Sequence, residues 1–204
     1  MATYVDRSYF RDLATAPPTN VCRGERCRHD PSTTSYTLRI WGDEYIINWT
    51  AKSIDRLATT TPPIHDYFQL FIIYYLLLPK DITGREEWIS EKDLPGGTTF
   101  FRGPPLLPTN LISDRFANDL ETFATCCKAL GGTPLKMADA AFRFEITPDI
   151  QVAVLYWAGD EEFPAEAKIL YDRAVIDVLP LDIVFALAVQ ICARIGKTGL
   201  PSPA

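Results

Sequence analysis

The chain has 204 residues, a formal net charge of −6 and an apolar content of 47%. That suffices for the core of one domain, with or without a small appendage, and is too apolar for global disorder. Lys and Arg never cluster beyond a few residues, so the positive phosphate footprint of a nucleic-acid binder is missing.

The N-terminal residues Thr3, Tyr4, Val5 and Asp6 form neither a basic stretch nor an apolar leader, and a cytoplasmic protein is expected. Thr3 to Ala14 reads as a helix, with Val5, Tyr9 and Leu13 on one face and Pro17-Pro18 ending it. Residues 17–34 are polar, rich in Arg, Pro and Thr, and hold Cys22, Cys27 and His29. They read as a flexible connector or as a loop ordered by a ligand. Tyr36-Leu38-Ile40 and Tyr45-Ile47-Trp49 alternate on either side of Gly42-Asp43, a hairpin pattern. Thr50 to Thr61 is ambiguous, with Ile54 to Ala58 as a helical turn.

Thr61-Pro62 reads as the cap and first-turn proline of a helix. Nearly every position from Ile64 to Leu78 is apolar, so this helix is expected to be buried on most sides, ending at Pro79. Its longest apolar run, Leu70 to Leu78, falls far short of the ~20 residues of a membrane span. Trp88-Ile89-Ser90 is a short extended piece, Asp93 to Gly97 a turn, and Thr98 to Phe101 a strand broken by Arg102-Gly103-Pro104-Pro105. Asn110 then caps one long helix with Ile112, Phe116, Leu120, Phe123, Cys127 and Leu130 on its apolar face, closed by Gly131-Gly132.

The block from Asp139 to Gly196 organises the rest. Phe142, Phe144 and Ile146 alternate with Arg143 and Glu145, the period of a strand with one wet face. Thr147-Pro148-Asp149 is turn chemistry. Ile150 to Trp157 follows with Val152, Val154 and Tyr156 on one face and Ala153, Leu155 and Trp157 on the other. Two apolar faces predict a central strand covered on both sides. After an acidic loop, Lys168 to Asp172 forms a third strand. Pro180 opens a closing helix with Val184, Leu187, Ala188, Ile191 and Ile195 at helical spacing, and Gly196 is the expected stop.

The fold class is therefore α+β: a mainly antiparallel sheet, made of the hairpin and the C-terminal meander, packed with about four helices. Residues 1–34 read as an N-terminal helix and polar loop of the same domain, 35–196 as a single α+β domain, and 197–204 as a loose tail.

Three pieces carry a family likeness: WISEKDLPGG (Trp88 to Gly97), ALGG (Ala129 to Gly132), and FEITPDIQVAVLYWAGDEEFPAEAKILYDRAVIDVLPLDIVFALA (Phe144 to Ala188). With them the chain resembles the DUF3786 family, a domain of unknown function found mostly in anaerobic bacteria and archaea. The resemblance implies an α+β domain in an anaerobic redox or corrinoid setting, since some relatives join a similar domain to a four-cysteine iron–sulfur module. No four-cysteine run of that kind occurs in this chain.

Among chemistry-bearing residues, Cys22, Cys27 and His29 can fill three positions of a tetrahedral zinc or bind a soft metal; otherwise they are incidental to a polar loop. Five cysteines, an odd number, do not read as a disulfide framework. Cys127 and Cys192 fall on apolar helix faces and read as core. Asp160, Glu161 and Glu162, with Asp172 at the end of the next strand, form an acidic patch suited to acid–base work or a hard cation, or a solvated loop. Arg102, after Phe100 and Phe101 on a Gly/Pro loop, suits a carboxylate or phosphate clamp, or a structural salt bridge. Trp157 and the other aromatics Trp41, Trp49, Trp88, Tyr67, Phe68, Phe71, Tyr74 and Tyr75 can line a pocket for a flat ligand or simply build the core.

The leading functional expectation is a cytoplasmic accessory domain that binds a cofactor, a corrinoid or other redox-related ligand, or a redox partner protein. The rivals are an enzyme using Arg102 with Asp160, Glu161 or Asp172, and a metal-binding protein using Cys22, Cys27 and His29. The sequence itself names no cofactor, and neither nucleic acid nor a membrane is expected as a partner.

Overall fold

A computed structural model describes residues 5–57, 66–80, 82–85 and 87–197 of the chain. It is an α+β fold with two antiparallel sheets. The first sheet has the order β1-β2-β3-β4: β1 (Cys27–Asp30), β2 (Ser35–Ile40), β3 (Asp43–Asn48) and β4 (Ser53–Arg56). The second has the order β5-β9-β8-β7-β6: β5 (Trp88–Ser90), β6 (Thr133–Leu135), β7 (Ala140–Thr147), β8 (Ile150–Trp157) and β9 (Glu166–Asp172).

The meander expected in the last third is the middle of that larger sheet, with β8 at its centre. Pro148-Asp149 makes the tight turn, since Thr147 pairs with Ile150 across it. Register places Phe142, Phe144, Val152, Val154, Tyr156, Ile169 and Tyr171 on one face, where all are buried in the main core. The other face holds Ala141, Ala153, Leu155 and Leu170. Among the described residues no helix joins that cluster. Its borders are Trp88, Leu135, Met137 and Trp157, so sheet residues and one connecting residue shield each other. The expected burial of β8 on both faces is thus met, but on one side by long side chains rather than by a second layer.

Seven α-helices are described, against about four expected. α1 (Arg7–Thr15) starts where the Asp6 carboxylate accepts from Ser8 N at 2.7 Å and stops before Pro17-Pro18. The polar segment expected to be a connector is folded: α2 (Pro18–Val21), a 3₁₀ turn (Arg23–Glu25) and then β1. α3 (Asp66–Leu76) is buried on most sides as expected, although its predicted Thr61-Pro62 start lies outside the described residues. Thr98 to Phe101, expected as a strand, is instead mostly α4 (Gly97–Phe100). The long helix after Asn110 is two, α5 (Asn110–Phe116) and α6 (Leu120–Ala129). It breaks where Ala117 takes φ +47° and Asp119 recaps the chain by accepting from Thr122 N at 2.8 Å. Ser53 to Arg56, within the ambiguous stretch, is strand β4 rather than a helical turn.

α7 (Leu181–Lys197) closes the fold, packing on α3 and α5 against the larger sheet's inner face. Gly196 does not stop it. The residue lies inside the last turn, where an added Cβ would sit 2.4 Å from Leu111 O of α5. Absence of a side chain is what lets the two backbones approach. Among the described residues no helix is long and apolar enough to cross a membrane.

Helix propensity alone favours alanine over glycine by about 1 kcal/mol. Gly196→Ala is nevertheless expected to destabilise the protein, because Leu111 must move. A urea midpoint for that variant below that of the wild type checks this, and a higher midpoint would contradict the close-approach reading.

Candidate functional site

An open cleft of about 1000 Å³ lies where the first sheet meets the β7–β8 end of the second. Its lining includes Arg26, Arg28, Arg39, Trp41, Asp43 and Glu145.

The cleft exists because the tip of the β2–β3 hairpin is pinned to the other sheet. Ile40 pairs with Asp43, so Trp41-Gly42 is a two-residue loop, with φ +45° and +81°. Positive φ at both positions is the type I′ hairpin signature, which glycine adopts freely and tryptophan does not. Neighbours hold Trp41 there. Its backbone N–H donates to Ile146 O at 2.7 Å, and its indole Nε1 donates to Leu130 O at 3.0 Å. Its ring meets Phe144 edge-on at 5.2 Å, and the Arg194 guanidinium lies 4.5 Å above it.

Beside it is a buried ion cluster. Asp43 is in phase with Tyr45 and Ile47 on β3, so the hairpin's inward face carries its carboxylate into the core. Arg194 on α7 reaches Asp43 Oδ2 at 3.1 Å and Arg56 on β4 reaches it at 3.6 Å, all three side chains being about nine-tenths buried. Burial pulls the Arg194 guanidinium below its ordinary range, while the Asp43 charge pushes it back. Burial, with Asp43 adding to it, lifts the Tyr45 hydroxyl to about 12.

Arg26, only 5% exposed, also lines the cleft. Its Nη1 donates to Tyr75 O at 3.3 Å and Leu78 O at 3.4 Å, capping carbonyls at the end of α3. The guanidinium also lies 5.2 Å from the Tyr75 ring centre and 3.9 Å from Asp149 Oδ2. Tyr75 donates its hydroxyl to Asp149 Oδ2 at 3.3 Å, and burial raises its pKa to about 12. Arg28 pairs with Glu44 at 2.6 Å on the surface. Arg39 is exposed, donates from Nε to Gly42 O at 3.4 Å, and has no carboxylate partner among the described residues.

Most of the chemistry-bearing residues singled out in the sequence lie elsewhere. Cys22 and Cys27 are joined to each other as a disulfide, so neither is a free thiolate for a metal. His29 packs its ring on Tyr36 at 5.0 Å and stacks on Trp49 at 5.6 Å. No group of three metal-ligating side chains occurs among the described residues. Arg102 is exposed and pairs with none of Asp160, Glu161 and Asp172. Asp160 is a turn residue: its carboxylate accepts from Phe163 N at 2.7 Å and Glu162 N at 2.8 Å, bonds that lower its pKa. Glu161 is exposed on the same loop. Asp172 is buried and structural, accepting from Ala174 N at 2.8 Å and Arg85 N at 3.0 Å. Trp157 borders the helix-free face of the larger sheet, paired with Glu166. Cys126, Cys127 and Cys192 are buried thiols. Of the candidate ligand and metal residues, Trp41 and Cys27 line the cleft; its arginines are not among those candidates.

The family described as "Domain of unknown function (DUF3786)" matches residues 18–194. The chain belongs to the DUF3786 family. The match spans both sheets, the cleft and nearly all of α7, while α1 lies before it. No curated protein and no solved structure matches the chain.

Two outcomes follow from the ion cluster and the buried phenols. Asp43→Ala removes the carboxylate between two buried guanidiniums and should cost about 3–5 kcal/mol. Glu44→Ala, which breaks only the exposed pair with Arg28, should cost under about 1 kcal/mol; equal losses in urea melts would contradict the assignment. Tyr45 and Tyr75 ionise at about 12 when folded against 10.0 ordinarily, and Cys192 at about 12 against 9.0. The unfolded chain therefore releases these protons first. Their stabilisation is complete below about pH 9 and lost as pH rises towards 12, each unit of difference being worth about 1.4 kcal/mol. Urea melts from pH 8 to 11 should show the decline, and Tyr45→Phe should make it shallower.

Proposed function

We propose that this DUF3786 chain is a cytoplasmic accessory domain of anaerobic metabolism that binds a small molecule bearing a carboxylate or phosphate in the inter-sheet cleft. The observation that carries the reading is the state of the cleft's three arginines. Arg26 is engaged by α3 carbonyls and Arg28 by Glu44, whereas Arg39 stands exposed with no carboxylate partner among the described residues. A guanidinium fork in that state is suited to a planar anionic group. Leu57, exposed in the same lining, supplies apolar surface beside it, and the volume of about 1000 Å³ is at the upper end of small-molecule sites, on the order of 300–1,000 Å³.

The family's setting supports a redox-related ligand, with a corrinoid as one member of that class. What supports the binding role is that Arg26 and Arg28 are engaged by structure and leave Arg39 to meet a ligand. The domain's contribution is recognition: Arg39 fixes the anionic group and Leu57 covers the adjoining apolar part.

A thermal-shift screen with succinate, citrate, inorganic phosphate, pyrophosphate and a corrinoid tests the reading. At least one compound should raise the melting temperature. Arg39→Ala should weaken its binding about tenfold or more, since a charge-assisted bond is lost, while leaving stability unchanged. Silence across the screen, or equal affinity in Arg39→Ala, would sink it.

A further inference from the structure

The disulfide between Cys22 and Cys27 closes a ring over residues 22–27, and this ring grips α3. Arg23 and Arg26 lie inside it. Arg23 donates to Pro79 O, and Arg26 to Tyr75 O, Leu78 O and Lys80 O. All four carbonyls belong to the end of α3 or the residues just beyond it. The ring then runs directly into Cys27 and Arg28 of β1, which line the cleft. One covalent bond thus connects the placement of two helix-capping arginines to the shape of a cleft wall.

We propose that Cys22–Cys27 is a thiol–disulfide exchange site whose opening by a dithiol releases α3 and reshapes the cleft wall. The functional meaning of that wall rests on the binding role argued above. Cys22 is half-buried and Cys27 only 7% exposed, so an incoming thiolate reaches the Cys22 sulfur. A bond forms between the reagent and Cys22, the Cys22–Cys27 bond breaks, and Cys27 leaves as a thiolate and takes up a proton. The reagent's second thiolate then attacks the mixed disulfide, cyclises, and frees Cys22 as a thiol. In total two electrons and two protons pass to the pair, and the dithiol is oxidised to a disulfide. Three arginines between residues 23 and 28 provide the basic surroundings that favour a departing thiolate. In a reducing cytoplasm a bridge of this kind is transient and reports redox state rather than serving as a permanent staple.

The remaining thiols do not compete. Cys126, Cys127 and Cys192 are at most 2% exposed, and burial raises the pKa of each. Alkylation of the native protein should therefore read the pair alone.

The experiment uses the full chain, purified without reductant, then treated with dithiothreitol under native conditions. Iodoacetamide should add two adducts, at Cys22 and Cys27, after dithiothreitol and none before. Hydrogen exchange should quicken about tenfold or more in peptides covering the end of α3 and β1, while α7 stays protected. The melting temperature should fall by about 5 °C. The paired variant Cys22→Ser with Cys27→Ser should reproduce the reduced exchange pattern without any reagent. Resistance of the bridge until the chain unfolds would overturn the proposal, as would adducts before reduction, or reduction that leaves α3 exchange unchanged. None of these readouts needs a cleft ligand, so this idea and the binding role succeed or fail separately.

Discussion

A carboxylate shared by two buried guanidiniums holds this fold together at its corner. Asp43 comes from the hairpin, Arg56 from the edge strand beside it and Arg194 from the closing helix. Removing charges from water costs several kcal/mol per ion. Such an arrangement persists only where the surroundings supply more than the pair itself. Here Trp41 does so, by offering its ring face to Arg194 and its two N–H groups to carbonyls beyond the hairpin. The unfavourable φ of Trp41 is the strain accepted in return for joining the two sheets at one residue.

This corner also explains why a cleft is present at all. Two antiparallel sheets that merged face to face would close over their own core. These touch through a hairpin tip and a β-strand end, and the gap left beside that contact is walled by arginines already held by helix carbonyls or by a surface carboxylate. The geometry of the cleft is thus set by core packing and by capping, the same contacts that stabilise the domain.

Much of the architecture was legible because periodicity is a local property. Ile150 to Trp157 alternates between two apolar faces and is the central strand; the aliphatic spacing from Val184 to Ile195 is the closing helix. What escaped notice depended on contacts distant in sequence. Gly196 reads as a stop until Leu111 is seen against it, and the helix after Asn110 reads as continuous because its apolar stripe runs through the break at Ala117. The candidate site escaped for a different reason. Asp43 was read as a turn residue, although the two-residue period of Tyr45 and Ile47 extends to it. Arg194 lies three residues after Ile191 on the same apolar stripe, and Arg56 lies two after buried Ile54. Charged residues in phase with a buried face were the available signal. Asp160 and Asp172 stand out by their chemistry alone, yet the carboxylate of the first serves a turn and that of the second a cap.

The margins of the larger sheet have a consequence for how this molecule can associate. Both outermost strands, β5 and β6, are three residues long, and β6 carries Pro134, which offers no backbone donor. Another chain seeking to add a strand finds too few free amides in a row to form a ladder. Sideways growth of this sheet into ribbons or fibrils is thereby discouraged at both of its flanks.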